Sequence, residues 1–211
     1  VWMMAAITFG MSIAQSVVEE KQTRIVEILV SSVSSKALLT GKILGNSIAA
    51  MAQIILIIAT VVLGASINGD IIPLDKLAGP IGWFTILFIF GFVMIASLYA
   101  AAAALASRTE DLNNTVQPLI WLVMLPYFGV IFAGTNQVAM QVMALFPLTS
   151  AVAAPIRIFQ GDSPVWEPFA AMVILIATTV AVIVLAGKIY DRGLLQTGKP
   201  MKWREALKAE A

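Results

Sequence analysis

The sequence has no cysteine and no histidine among its 211 residues. Disulfides, thiolate or imidazole metal sites, and any nucleophile relying on a histidine base are therefore excluded. Charge is scarce as well. Only 12% of the residues are Asp, Glu, Lys or Arg, whereas a soluble domain of this length keeps about 25%. The net charge of +1 implies no face for nucleic acid. Alternating segments of about ten residues, the mark of outer-membrane barrel strands, are also missing. The chain opens at Val1 inside an apolar stretch, with neither the basic leader nor the small-residue cleavage site of a secretory signal. Further sequence is expected upstream.

What is present is apolar: 60% hydrophobic residues and a mean hydropathy of +0.93. The apolar residues come in runs of about 20, long enough for a helix to cross a hydrocarbon core of about 30 Å. A continuous helix satisfies its own backbone hydrogen bonds where no water is available. The expected fold is thus an all-α integral membrane protein, one transmembrane domain with about five spans. These are placed near residues 1–14, 43–66, 82–106, 115–134 and 168–187. The first is short for a crossing. Residues 15–42 form a long polar connection, and 188–211 a basic tail. Residues 138–163 are apolar but interrupted by Gln141, Pro147, Pro155 and Arg157, which predicts an outer re-entrant or interfacial helical pair.

Positive charge sets the orientation, because Lys and Arg are retained on the cytoplasmic side. With five crossings, Lys21, Arg24, Lys36, Lys42, Arg108, Lys188, Arg192, Lys199, Lys202, Arg204 and Lys208 share one side, and only Lys76 and Arg157 lie on the other. The 15–42 segment, the Arg108 loop and the C-terminus are accordingly expected in the cytoplasm. Trp2, Trp83 and Trp166 then fall at the outer boundary, as an aromatic belt would place them.

The stretch from Ser16 to Leu29 reads as one helix. Ser16 and Glu19 match a capping box, and Glu20 and Arg24 are spaced for an i, i+4 ion pair. Val18, Ile25 and Leu29, with Val17 and Ile28 beside them, make an apolar stripe. A second short helix is expected from the Ser34 and Ser35 cap through Lys36 into Gly41. On pattern alone this segment fits either a connector lying on the membrane or a docking element. Small residues at Gly41 and Gly45, and at Ala96, Ala100 and Ala104, suit close helix contact, within the chain or between two chains. Asn46, Gln53 and Gln117 are among the few polar groups inside spans, and serve either helix-to-helix hydrogen bonding or a substrate path. Arg157 either snorkels towards water or pairs with Asp162 or Glu167 or, with Pro147, shapes an outer gate.

Three segments carry a family resemblance. The run from Glu19 to Lys42 resembles the cytoplasmic loop of permeases in the type 2 ABC exporter class, particularly its NatB/YhaP-like sodium or drug export branch. Phe146 to Gly161 is similar to the outer segment between that family's last two spans, and Lys188 to Pro200 to its cytoplasmic tail. Such permeases carry a further span and a large extracytoplasmic region upstream, so the chain reads as their C-terminal part. The resemblance implies a permease subunit in the plasma (inner) membrane of a prokaryote, paired with a second permease chain as homo- or heterodimer. It also implies a separate ABC ATPase subunit that binds ATP and magnesium and docks on the 15–42 loop. Glu19, Glu20, Arg24, Glu27, Ile28, Leu29, Ser34, Ser35 and Lys36 are then the coupling residues. No cofactor and no catalytic site are expected in the chain itself.

One motif points elsewhere. Gly193 to Pro200 has the glycine and lysine spacing of a phosphate-binding loop, but Pro200 stands where the magnesium-binding Ser or Thr is needed. A self-sufficient secondary transporter or channel is the rival reading. It is opposed by the absence of Asp and Glu from the cores of the last four spans, since proton-coupled carriers use intramembrane carboxylates.

Overall fold

The computed structural model describes residues 1–23, 25–67, 74–134 and 136–194. Among these every regular element is a helix: α1 (Trp2–Gln22), α2 (Ile25–Ser32), α3 (Ser35–Ile67), α4 (Leu74–Leu105), α5 (Thr109–Ala133), α6 (Gln137–Leu145), α7 (Pro147–Gln160) and α8 (Trp166–Leu194). Four are long and apolar enough to cross a membrane: Ser35–Gly64, Leu77–Leu105, Thr109–Ala133 and Trp166–Leu194. The protein is therefore an all-α integral membrane protein. At 1.5 Å per residue these helices exceed a hydrocarbon core of about 30 Å, so their ends project or the helices tilt.

The bundle is organised around α4, which packs on α8, α1, α7, α3 and α5. Its composition explains the position. Ala96 and the run Ala100 to Ala104 are fully buried, because residues without bulk let neighbouring backbones approach, and close packing is what holds helices together in lipid. At the other half of α4, Phe88 stacks on Phe92 with ring centroids 5.7 Å apart, and both rings are buried. Thr179 of α8 donates to the Phe90 carbonyl at 3.2 Å, and Trp83 meets Phe169 edge-on at 4.8 Å. The alanine row thus serves packing within the chain, whereas a side chain added at Gly41 or Gly45 would meet nothing within 4 Å.

Helix α1 runs in the same direction as α4. A Cβ at Gly91 would lie 3.5 Å from the Trp2 indole nitrogen, and one at Gly10 would strike the Tyr99 ring at 2.7 Å. Ile13, Ala14, Val17 and Val18 form its buried stripe. Two expectations change here. The helix does not stop near Ala14 but continues to Gln22, so Ser16 lies mid-helix and cannot cap; its hydroxyl sits 3.5 Å from a Glu20 carboxylate oxygen instead. The chain turns at Thr23, whose hydroxyl donates back to the Glu19 carbonyl at 2.8 Å, and restarts as α2. Nor is Trp2 in a lipid-facing belt: it is 4% exposed, wedged against α4.

After α2, Ser34 accepts from the Ala37 N–H at 3.3 Å and caps α3. No stop follows at Gly41; the expected short helix continues without interruption into the apolar run. Over residues 138–163 the structure has two packed helices. Asn136 accepts from the N–H groups of Val138 and Ala139, both at 3.1 Å, starting α6. Pro147 occupies the first turn of α7, where its missing N–H costs nothing, and Gly161 closes the helix at φ 79°.

Candidate functional site

At one end of the bundle the last turns of α1, α4 and α8 meet the first turns of α3 and α5. Lys21 ties them together. Burial of Val17 and Val18 one turn earlier carries Lys21 inward on the same stripe, where it is 4% exposed. Its Nζ donates to the carbonyls of Ala104 at 2.6 Å, Ala106 at 2.9 Å and Gly193 at 2.9 Å. The last carbonyls of a helix have no partner within it, and a cation there also meets the negative end of the helix dipole. Lys21 satisfies both demands for α4 and α8 at once. Burial lowers its pKa from 10.5 to about 8, yet three acceptors call for three N–H donors, which only the charged amine has. Gly193 makes the junction sterically feasible: a Cβ there would lie 2.6 Å from the Ala104 carbonyl oxygen.

Beside this knot, Lys42 of α3 pairs with Glu20 of α1 at 2.6 Å and also donates to the Ser16 hydroxyl. Thr109 of α5 donates to the Gln22 side chain at 3.0 Å. Every long helix of the bundle is therefore fixed to the C-terminal turns of α1, directly before α2. In α2, Val26 is buried against the bundle while Ile25, Glu27 and Ile28 are exposed, Ile28 by 70%. Leu29 is half-buried.

The residues expected to couple occupy this end, on three helices. Glu19 is exposed and Glu20 half-buried on α1; Glu27, Ile28 and Leu29 lie on α2; Ser34, Ser35 and Lys36 lie at the start of α3. Arg24 lies outside the described residues, and the partner seen for Glu20 is Lys42. The expected pathway residues are not brought together. Asn46 donates to its own helix at the Lys42 carbonyl, 3.0 Å away, and Gln53 and Gln117 are exposed on the outer faces of α3 and α5.

Arg157 and Pro147 stand at the opposite end. Arg157 is 4% exposed and Glu167 0%. Its Nε lies 2.6 Å from Glu167 Oε1, and an NH2 nitrogen donates to Glu167 Oε2 at 3.0 Å, a two-point contact that suits the guanidinium fork. Further bonds reach the carbonyls of Gln137 at 3.2 Å and Asp162 at 2.9 Å. Of the two expected partners, Glu167 is thus the ionic one, and Asp162 contributes through its backbone. The group locks α6, α7 and α8 together.

Lys21 and Lys42 escaped sequence reasoning as structural contacts. For Lys21 a signal existed, since Ala14, Val17, Val18 and Lys21 share one helical face; for Lys42 none did, because its partner is 22 positions away. Among the described residues no group of three or more acidic, His or Cys side chains could hold a metal.

A membrane bundle whose helix ends are gathered beneath a short amphipathic helix defines a class of multi-helix membrane component with a surface element at one end. Residues 1–188 match the family described as ABC-2 family transporter protein. The chain belongs to the ABC-2 transporter family. It is 26% identical to the uncharacterized protein YhaP of Bacillus subtilis, over 92% of this chain and 49% of that protein. It is 27% identical to the uncharacterized protein MJ1024 of Methanocaldococcus jannaschii, over 91% of this chain and 47% of that protein. The chain thus spans about half the length of the curated relatives it matches. No solved structure matches it.

Proposed function

We propose that the chain is the permease part of an ATP-driven ABC exporter, forming the translocation path with a second permease chain while a separate ATPase subunit supplies the energy. ATP and magnesium belong to that subunit. The observation that carries the reading is the placement of α2: an exposed apolar and acidic surface held at the junction that fastens α1, α4 and α8. A displacement of α2 by a docked subunit acts on the end of α1, and through Lys21 on the ends of α4 and α8 together. That is how a push at one end of a bundle becomes a rearrangement of its spanning helices. The excess of Lys and Arg at this end supports its assignment to the cytoplasm of a prokaryotic inner membrane.

A surface helix that merely rests on lipid predicts the opposite response to charge reversal. In a partly desolvated protein contact, Glu27→Lys introduces the wrong charge, and disrupting such a contact costs about 2 to 5 kcal/mol. Even the lower figure weakens assembly more than tenfold. On an anionic membrane the added Lys is instead attracted by about 1 kcal/mol. Co-expression of Glu27→Lys with the proposed ATPase subunit, followed by co-purification, is expected to show loss of the complex with membrane insertion intact. Undiminished assembly would return α2 to a membrane-surface role.

A further inference from the structure

A groove of about 350 Å³ opens between the start of α3 and the end of α8, lined by Lys36, Leu39 and Thr40 on one side and by Ile183, Val184, Gly187, Lys188 and Asp191 on the other. On each helix these positions lie on one face, linked by spacings of three and four residues. Along both faces the chemistry runs from apolar to charged. On this face of α8 the apolar Ile183 and Val184 are followed one turn later by Lys188, where the polar end begins, while Lys36 and Thr40 precede the apolar run of α3. In an integral membrane protein that change of character marks the boundary between acyl chains and headgroups.

The basic residues here differ in their availability. Lys21 is committed to three carbonyls and Lys42 to Glu20. The ammonium groups of Lys36 and Lys188 make no ion pair or hydrogen bond among the described residues, and both are exposed. Gly187 keeps the groove wall open, since a Cβ added there would meet nothing within 4 Å. Asp191 is half-buried in the lining. Two ammonium groups against one carboxylate leave the groove positive, with an acceptor placed for a headgroup hydroxyl.

We propose that this groove binds an anionic phospholipid, its phosphodiester held by Lys36 and Lys188, a headgroup hydroxyl donated to Asp191, and an acyl chain laid along Leu39, Ile183 and Val184. Basic pockets between spanning helices at the membrane boundary recognise anionic headgroups in this way. The site depends on the membrane fold alone and stands whether or not the transport reading does.

Native mass spectrometry of the delipidated full chain, titrated with palmitoyl-oleoyl phosphatidylglycerol or with the matching phosphatidylcholine, tests it. Loss of one lysine contact at a membrane surface weakens binding about fivefold. Lys36→Gln and Lys188→Gln are each expected to lower the affinity of the first phosphatidylglycerol by that factor, and the double variant by roughly thirtyfold, with phosphatidylcholine unaffected. Gly187→Leu, which narrows the groove without changing charge, is expected to weaken phosphatidylglycerol binding too. Arg108→Gln removes an exposed charge from the same end but outside the groove, and is expected to leave it unchanged. Equal losses in Arg108→Gln and Lys36→Gln would mean diffuse attraction and overturn the site. Displacement of the lipid by equimolar inorganic phosphate would overturn the assignment to phospholipid.

Discussion

Lys21→Met replaces the buried ammonium by an unbranched apolar chain of similar length, leaving the carbonyls of Ala104, Ala106 and Gly193 without their donor. Each buried acceptor left unsatisfied costs about 1 to 3 kcal/mol, so the three together cost about 6 kcal/mol. Against this stands the relief of a desolvated charge. A pKa lowered from 10.5 to about 8 corresponds to about 3 kcal/mol at 1.36 kcal/mol per unit. The net expectation is a destabilisation of about 3 kcal/mol, a large part of a typical domain's stability of about 5 to 15 kcal/mol. The loss concentrates where α8 ends. Tryptophan-detected unfolding in detergent is expected to show a lower midpoint for Lys21→Met, and hydrogen exchange a selective loss of protection over residues 188–194. Lys21→Arg is expected to fall between, because it restores donors but overfills a junction closed by Gly193. A Lys21→Met protein as stable as the parent, with α8 equally protected, would refute the view that Lys21 holds the helix ends together.

The same lysine gives a pH dependence. Between about pH 8 and 10.5 the unfolded chain holds a proton that the folded chain has released, so stability rises with pH by at most about 1.4 kcal/mol per unit from this group; the slope should be present in the parent relative to Lys21→Met and absent below pH 8. Gly193→Ala places a Cβ 2.6 Å from the Ala104 carbonyl oxygen, and forcing the two backbones apart is expected to cost about 1 to 3 kcal/mol in the same unfolding assay. At the other end, Arg157→Met or Glu167→Met breaks a buried pair and is expected to cost about 3 to 5 kcal/mol, whereas Arg157→Met with Glu167→Met recovers part of it; additive losses in this double-mutant cycle would contradict the pairing. The purified chain is expected not to bind ATP in equilibrium dialysis, because Gly193, the first glycine of the apparent phosphate loop, sits in α8 packed on α4.

The long apolar runs were legible because the bilayer demands an unbroken helix of a minimum length, and they lie inside α3, α4, α5 and α8. The interruption before Pro147 and the Ser34 cap were equally readable, since each rests on local backbone chemistry. The extent of α1 was not. Gln15, Ser16 and the charged triplet Glu19, Glu20 and Lys21 look like a chain leaving an apolar environment, yet the buried face persists through Val17, Val18 and Lys21. A capping box is a local pattern, and here tertiary packing of the stripe overrode it. The long-range bonds of Lys21, spanning 83 to 172 positions, depend on helix ends that only the assembled bundle brings together. The exposed Gln53 and Gln117 show the converse: polarity within an apolar run does not reveal which way a side chain points.

The proposed coupling role of α2 meets its most direct test in site-specific cross-linking, which a chain without cysteine permits cleanly. Ile28→Cys, on the exposed face of α2, and Val173→Cys, exposed on α8 well away from the gathered helix ends, are expressed with the proposed ABC ATPase subunit and treated with a short bifunctional thiol and amine reagent. A cross-linked product between the ATPase and Ile28→Cys is expected, with a yield that changes when ATP is added, and none with Val173→Cys. An Ile28→Cys chain that labels freely with a small thiol reagent, yet yields no cross-link in an otherwise intact complex, would contradict it.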